Sequence, residues 1–385
     1  MSTFATRGGV GGAKALAAAI GEACEDVVNP CVAIVYCSPD IDSKDLQQAA
    51  SLFPFPVALC TTAGQFTQDG RFDEGFVVAV LGGTRVQPAI VRDTRTNTAE
   101  ASQALAGGFR RGSEEARRDG HAHSATILLA DGLANTGEQI VDALRKATSP
   151  HQIIVGGAAG DNGAFVSTRV GLDERVTDTG AVALHMFGGS RWGVGLGHGL
   201  RSASERKTVT RAEGALIHEI DGRPAFEAYR DFAASRGEAI TPSSVGTFMI
   251  RHELGVYFFD EIRFARAPLK VLDSGTLVCA AGIEEGSSIC ILDGDADSMV
   301  AAATAAAREA KKNLRGQRAA GLLVFDCVCR GLILGDDFQR EIDAIAREFP
   351  GVPLAGFLTY GEIARYGGKL QGWHNSAAVV VAIPA

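Results

Sequence analysis

Cys31-Val32-Ala33-Ile34-Val35-Tyr36-Cys37 is an apolar run of strand length, and the segments on either side of it decide how the chain is organised. After a polar loop, Ser43 to Phe53 sets Leu46, Ala49, Ala50 and Phe53 at i, i+3, i+4 and i+7, one face of a helix. A second apolar run, Phe55 to Cys60, comes next, then the turn Thr61-Thr62-Ala63-Gly64 and a further strand, Gly75 to Leu81. An Ala-rich helix, about Gly12 to Cys24, precedes the group.

The same order of elements returns twice, and an internal repeat of this kind outranks any single element as evidence of architecture. The second copy runs through the helix Thr98 to Arg118, the strand Ala125 to Ala130, the helix Thr136 to Thr148 and the strand Gln152 to Gly156. It closes with the turn Gly157-Ala158-Ala159-Gly160 and the strand Gly180 to Phe187. The third uses Asp297 to Arg315, Gly321 to Asp326, Asp337 to Phe349, Val352 to Gly356, the turn Thr359-Tyr360-Gly361 and Ser376 to Ile383. The strands are near-continuous apolar runs, as in sheets covered on both faces, with the Ala-rich helices as covers. The expected fold is α/β in a layered α+β sense: two domains of repeated helix-strand-helix-strand-turn-strand units, helices covering largely buried sheets.

Between the second and third copies, Trp192 to Leu292 reads differently. Gly193, Gly195, Gly197 and Gly199 alternate with Val194, Leu196 and His198, a glycine-rich strand suited to close backbone neighbours. Val209 to Ile220 alternates less cleanly, and Val256 to Phe264, Thr276 to Ile283 and Ser288 to Leu292 are strand-like, with Glu284-Glu285-Gly286 as a hairpin tip between the last two. Asp221-Gly222-Arg223-Pro224 is a turn and helix-start signal. The domain boundary is placed there, giving domains 1–222 and 223–385.

The length of 385 residues suits two α/β domains, and 46% hydrophobic with 21% charged residues is an ordinary globular balance. No apolar run reaches the roughly 18 residues of a membrane-spanning helix, and the N-terminus lacks a secretion-signal pattern. The net charge of −8 is dispersed, and Arg110, Arg111, Arg117 and Arg118 are interrupted by Glu114 and Glu115, which argues against nucleic acid as a partner. The eight cysteines sit mostly in apolar runs and read as reduced thiols. The expected location is cytoplasmic.

Cys60-Thr-Thr-Ala-Gly-Gln-Phe66 resembles the glycine-cysteine-threonine-threonine-alanine-glycine-glutamate signature of the FIST family, with Leu59 and Gln65 as departures. Gly156-Gly157-Ala-Ala-Gly-Asp161 is similar to that family's second turn. Ala355-Gly-Phe-Leu-Thr-Tyr-Gly-Glu-Ile363 with His374-Asn375 matches its C-terminal half, and Glu219 to Tyr229 matches the junction of its two domains. The resemblance spans about Cys31 to Ile383. It implies a small-ligand sensor of signal transduction that works with a histidine kinase or a cyclic-di-GMP enzyme. This chain carries no transmitter or receiver motif of its own, so the partner would be a separate protein. A homo-oligomer is compatible with this.

For the ligand, the family's haem-binding, nitric-oxide-sensing subset points to non-covalent haem b. A haem needs a neutral imidazole on the iron, an apolar slot and some positive charge. His252, with Arg251 beside it in Phe248-Met-Ile-Arg-His-Glu-Leu-Gly-Val256, is the lead iron ligand, although Glu253 replaces the subset's proline. His198 is the second candidate. The alternative is an amino acid or other small metabolite, without haem, held at the turns after buried strands: Thr61, Thr62, Gly64, Gly157, Thr359, Tyr360 and Glu362. Ligands of open α/β sheets gather at strand carboxyl ends, where backbone N–H groups are exposed. A cysteine-dependent hydrolase built on Cys60 is the remaining reading, and no residue is placed by sequence to activate that thiol. The protein is therefore expected not to be an enzyme. Cys327-Val-Cys329 is read as two buried thiols on one face of a strand, and Asp336-Asp337 as the cap of a helix.

Overall fold

The computed structural model describes residues 2–149, 152–367 and 372–385. The first unit comprises β1 (Phe4–Gly9), α1 (Ala13–Glu25), β2 (Pro30–Cys37), α2 (Ser43–Ala50), β3 (Val57–Thr61), the hairpin β4 (Gln65–Thr67) and β5 (Gly70–Phe72), and β6 (Phe76–Gly82). The second repeats it with β7 (Arg85–Val91), α3 (Thr98–Arg118), β8 (His123–Ala130), α4 (Gly137–Ala147), β9 (Ile153–Ala158), the hairpin β10 (Val170–Leu172) and β11 (Arg175–Thr177), and β12 (Ala181–Gly188). The third begins at β13 (Gly193–Gly197) and is interrupted at once by a separate layer. That layer is β14 (Arg201–Ser202), β15 (Lys207–Glu213), β16 (Leu216–Ile220), β17 (Arg223–Pro224), α5 (Ala225–Ser235), α6 (Val245–Arg251), β18 (Leu254–Phe258), β19 (Glu261–Arg266), β20 (Pro268–Val271), β21 (Leu277–Cys279) and β22 (Ser288–Asp293). The third unit resumes with α7 (Ala296–Asn313), β23 (Ala319–Cys327), α8 (Val328–Leu334), α9 (Phe338–Glu348), β24 (Leu354–Thr359), the hairpin β25 (Glu362–Arg365) and β26 (Trp373–His374), and β27 (Ala378–Pro384).

Each unit keeps four strands and lends its hairpin to a neighbour. The three six-stranded sheets run β1-β6-β2-β3-β10-β11, β7-β12-β8-β9-β25-β26 and β13-β27-β23-β24-β4-β5. The first unit's hairpin therefore completes the third sheet, the third unit's completes the second, and the second unit's completes the first. In every sheet the two central strands are parallel (β2 with β3, β8 with β9, β23 with β24) and the remaining pairs are antiparallel. The inserted layer is its own nine-stranded sheet, and the position 222/223 lies within it, between paired strands β16 and β17.

The inner faces of the three sheets meet in one core. Tyr36, Phe325 and Phe357 meet there in tilted and edge-to-face contacts with ring centroids 4.6–6.5 Å apart, beside Ile127, Leu129 and Val381. The Ala-rich helices cover only the outer faces, so each central strand is apolar on both sides because a helix lies on one and the other two sheets lie on the other. Strand β13 shows why its glycines are needed: a Cβ at Gly193, Gly195 or Gly197 would come within 1.9–2.5 Å of the carbonyl oxygens of Ala310, Ala306 and Ala302 on α7. Strand and helix backbones touch there.

Several local expectations need correction. Val209–Ile220 and Val256–Phe264 are each two strands of a hairpin. Glu284-Glu285-Gly286 is not a hairpin tip, because β21 pairs with β16 and β20 while β22 pairs with β14, β15 and β18. Cys327 and Cys329 do not share a strand face, since β23 ends at Cys327 and α8 starts at Val328. Asp337 makes no side-chain capping bond at α9.

Candidate functional site

The carboxyl ends of β8 and β23 open onto a cavity of about 200 Å³ between the second and third units, roofed by the inserted sheet. The loop after β8 contributes Asp131, Gly132, Leu133 and Asn135, and Phe165 comes from the loop before β10. The third unit supplies Cys327, Cys329, Leu332, Tyr360, Trp373 and Asn375, and the insert supplies Ile250, Ala267, Leu269, Val278, Cys279 and Ala280.

Two glycines set the indole of Trp373. A Cβ at Gly137, where α4 begins, would lie 1.9 Å from that ring, and one at Gly361 would lie 2.2 Å from it. The ring is thus clamped between the helix start and the turn. Its Nε1 is buried without a hydrogen-bond partner among the described residues, and so is Asn375 Oδ1, on side chains only 6% and 3% exposed. Buried polar groups in folded proteins are nearly always satisfied, so two orphans in one cavity wall require an explanation.

One edge of the cavity is an aromatic pair, Phe165 stacked on Tyr360 with centroids 4.4 Å apart and planes 12° apart. The Tyr360 hydroxyl donates to Asp161 and accepts from Gly163 N at 2.9 Å. Asp161 also accepts from Phe165 N (2.8 Å), Val166 N (2.7 Å) and Ser167 N (2.9 Å), which binds the loop into a compact knot over the turn. Asp131 is spoken for by Arg95, Leu133 N and Thr168.

Behind the walls lies a set of buried acids. The Arg330 guanidinium bonds Glu341 twice, at 3.2 and 2.6 Å, and also the His198 and Met299 carbonyls. Its Nε is also 3.0 Å from Asp326, yet neither Asp326 oxygen has a hydrogen-bond partner among the described residues. One cation serves two carboxylates, so burial, reinforced by Glu341, pushes Asp326 well up towards its neutral form. Burial likewise raises Glu362, which accepts from Thr359 Oγ1 (2.6 Å) and Ala377 N (3.0 Å). Glu253 accepts from Ser376 Oγ, and burial pushes its carboxyl up to about 7.

The residues singled out in the sequence fall into three places. Thr359, Tyr360, Glu362 and Gly157 come together around the third-unit turn: Glu362 pairs with Gly157, and Tyr360 borders the cavity. Thr61, Thr62 and Gly64 form the equivalent turn of the first unit at another interface. Thr62 Oγ1 donates to Gln65 at 2.6 Å there, just as Thr359 donates to Glu362, and Ala63 N bonds Leu358 O at 3.0 Å. Protein atoms occupy that turn's backbone donors. Cys60 is wholly buried and burial pushes its thiol well up, away from the thiolate a nucleophile requires.

His252 and Arg251 lie in a separate, open groove of about 450 Å³. The His252 ring closes α6, is 6% exposed, and packs on Phe248 and Phe232 at 4.5 and 5.2 Å. Its Nδ1 lies 3.3 Å from Leu292 O, and burial keeps the ring towards neutral, as an iron ligand requires. The groove walls do not fit a haem: Glu238, Asp293 and Asp295 line it together with Arg236 and Arg251, where a macrocycle needs an apolar slot. His198 spends Nδ1 on Leu200 N at 3.0 Å, and burial and Arg330 lower it. His185 is a satisfied core residue between Thr126 and Leu105 O, and His374 ties β26 to Ala364 O. His151 lies outside the described residues. Among the described residues, no three His, Cys, Asp or Glu side chains are grouped to hold a metal ion, and no helix is long and apolar enough to cross a membrane.

Local patterning could not reveal Phe165, Leu269, Trp373 and Asn375 as neighbours, because strand exchange and the insert bring them together. One signal was available: Asp326 ends an apolar strand and Glu253 interrupts an apolar stretch, and acids in such settings mark a site candidate.

The FIST N domain family model matches residues 31–223, and the FIST C domain model matches residues 225–365. An uncharacterized protein of Mycobacterium tuberculosis (strain ATCC 25618 / H37Rv) is 27% identical over 285 residues, 69% of this chain and 70% of that one. An uncharacterized protein of Methanocaldococcus jannaschii is 27% identical over 188 residues, 45% of this chain and 35% of that one. A crystal structure of a chorismatase aligns over 99% of this chain and 98% of its own, at 10% identity and a TM-score of 0.38, too low to bear on the reading.

Proposed function

The chain belongs to the FIST family, whose domains are generally small-ligand sensors of signal transduction, and from that premise we propose that it holds a small metabolite in the cavity between its second and third units. The observation that carries this reading is a mostly apolar cavity at strand carboxyl ends, walled jointly by the second unit, the third unit and the insert, with Asp131, Asn135 and Tyr360 as polar members of its lining. A cavity of about 150 Å³ is enough for benzene, so about 200 Å³ suits a single-ring or short-chain guest.

Three parts of the molecule share the cavity wall, so a guest that contacts all of them would favour one arrangement of the insert over the units. Binding energy then becomes a conformational bias, and a separate partner can read it. A histidine kinase or a cyclic-di-GMP enzyme in the cytoplasm is the partner this reading takes from the family. Catalysis is not part of it: burial pushes the wall thiol of Cys327 well up, away from the thiolate a nucleophile requires. Haem and nitric oxide are not part of it either, because of the charged surroundings of His252.

A thermal-shift screen of small metabolites tests the reading. A compound that raises the melting temperature of the wild-type chain should lose that effect in Ala280→Leu, which fills the cavity from the insert side. A stabilising compound that acts equally on Ala280→Leu binds elsewhere and would overturn the assignment.

A further inference from the structure

Phe165 stands where the fold gains little from it. Its φ is 54°, a left-handed conformation that glycine or asparagine adopts readily and a bulky side chain does not. Its ring is 45% exposed, although burial is what ordinarily makes a phenylalanine stabilising. Strained residues persist only where their surroundings impose the strain, and they gather at ligand sites. The surroundings of Phe165 do impose it. Asp161 accepts from the N–H groups of Phe165, Val166 and Ser167, and the Tyr360 hydroxyl donates to the same carboxylate. One face of the Phe165 ring is thereby held flat on Tyr360, with 4.4 Å between centroids, and the ring borders the cavity.

The rest of the wall narrows the chemistry of a guest. Half-buried Leu133, Ile250, Val278 and Ala280 offer it apolar surface. Among the described residues the lining holds no Lys, Arg or His, and its one acid, Asp131, is paired with Arg95 and bonded by Leu133 N and Thr168. A guest of either charge would meet no unshared counterpart there, and burying an unpaired charge is strongly unfavourable.

Resting on the sensing reading above, we infer that the guest is an uncharged aromatic molecule, one ring with a small substituent, and that Phe165 is the residue that selects its ring. The free face or edge of Phe165 meets a guest ring in the offset or edge-to-face geometry that aromatic pairs prefer. A saturated ring of the same size would bury as much surface and forgo that attraction. About 200 Å³ has room for one such ring.

Titration calorimetry at pH 7 with the full chain tests this with four probes: benzyl alcohol, cyclohexylmethanol, benzoate and benzylamine. Benzyl alcohol should bind, cyclohexylmethanol about threefold or more weakly, and benzoate and benzylamine about tenfold or more weakly. Phe165→Asn suits the same backbone conformation, so it should keep the melting temperature within about 3 °C while weakening benzyl alcohol about tenfold. Phe165→Leu keeps apolar bulk without a ring, and should erase the preference for benzyl alcohol over cyclohexylmethanol.

Cyclohexylmethanol binding as tightly as benzyl alcohol would overturn the aromatic class, and benzoate or benzylamine doing so would overturn the uncharged one. A melting temperature lowered by about 10 °C or more in Phe165→Asn would mean that the ring serves the fold, and a preference unchanged in Phe165→Leu would remove it from the site. If none of the four probes binds while a metabolite from the screen acts in an Ala280→Leu-sensitive way, this inference fails and the sensing reading stands. Benzyl alcohol binding that survives Ala280→Leu would sink the cavity assignment itself.

Discussion

Replacing Glu253 by Gln should change how the protein's stability depends on pH. Glu253 is fully buried; Ser376 donates to Oε1, and Oε2 has no hydrogen-bond partner among the described residues. Burial is the largest influence on its carboxyl and pushes it from 4.5 to about 7, against the smaller downward pull of Ser376. Below pH 4.5 both folded and unfolded chains carry the proton. Between 4.5 and about 7 the unfolded chain ionises while the folded chain keeps its proton, so stability falls as pH rises, and the loss is complete above about 7. At about 1.4 kcal/mol per pH unit, the full gap is about 3.5 kcal/mol.

Urea unfolding of the wild type and of Glu253→Gln at pH 5, 6, 7 and 8 measures it. Glutamine does not titrate, so the wild-type advantage over the variant should shrink by about 2–3 kcal/mol across that range. Taking the difference removes His185, which burial lowers to about 4 and which therefore weakens the fold as pH falls, the opposite sign. Parallel pH curves for the two chains would refute the account of Glu253.

Arg330→Ala should cost about 3–5 kcal/mol in unfolding free energy, because it strands the buried carboxylate of Glu341 beside Asp326; a loss under 1 kcal/mol would contradict that. Titrating haem into the apoprotein should give no Soret band of a histidine-ligated iron, and His252→Ala should leave the spectrum unchanged while lowering stability by about 1–3 kcal/mol through the lost contacts with Phe232 and Phe248. Gly137→Ala should push the Trp373 ring out of its clamp, costing about 1–3 kcal/mol and shifting indole fluorescence; an unshifted spectrum would count against the clamp.

Elements with a strong local period were legible in the sequence. Thr98 to Arg118 is a helix over the residues its pattern marks, and the apolar runs at Cys31, Ala125 and Gly321 are the central strands. The glycine alternation from Gly193 to Gly197 correctly pointed to a close backbone neighbour, which is α7. The exchange of hairpins left no trace, because β4, β5, β10 and β11 are three residues each and their partners lie elsewhere in the chain. Nor could alternation place β13 in the third unit, since the insert separates it from α7. The three turns looked alike as ligand sites. Only in space does Tyr360 border a cavity while the Thr61–Gly64 turn packs against Leu358.

The circular lending of hairpins means that no single cut divides this chain into self-sufficient pieces. Severed near residue 222, the leading fragment would keep β4 and β5 with no host strand and would leave β9 bare along one edge, while the trailing fragment would lose β13 and carry an orphan pair, β25 and β26. Each bare edge is a template for indiscriminate pairing, so the separate fragments should aggregate, whereas fragments produced together could complete each other's sheets. The insert escapes this bind. It enters and leaves at one junction, between β13 and α7, where a polypeptide can lengthen without disturbing the ring, and that is a route by which a fixed scaffold could acquire new roofs for its cavity.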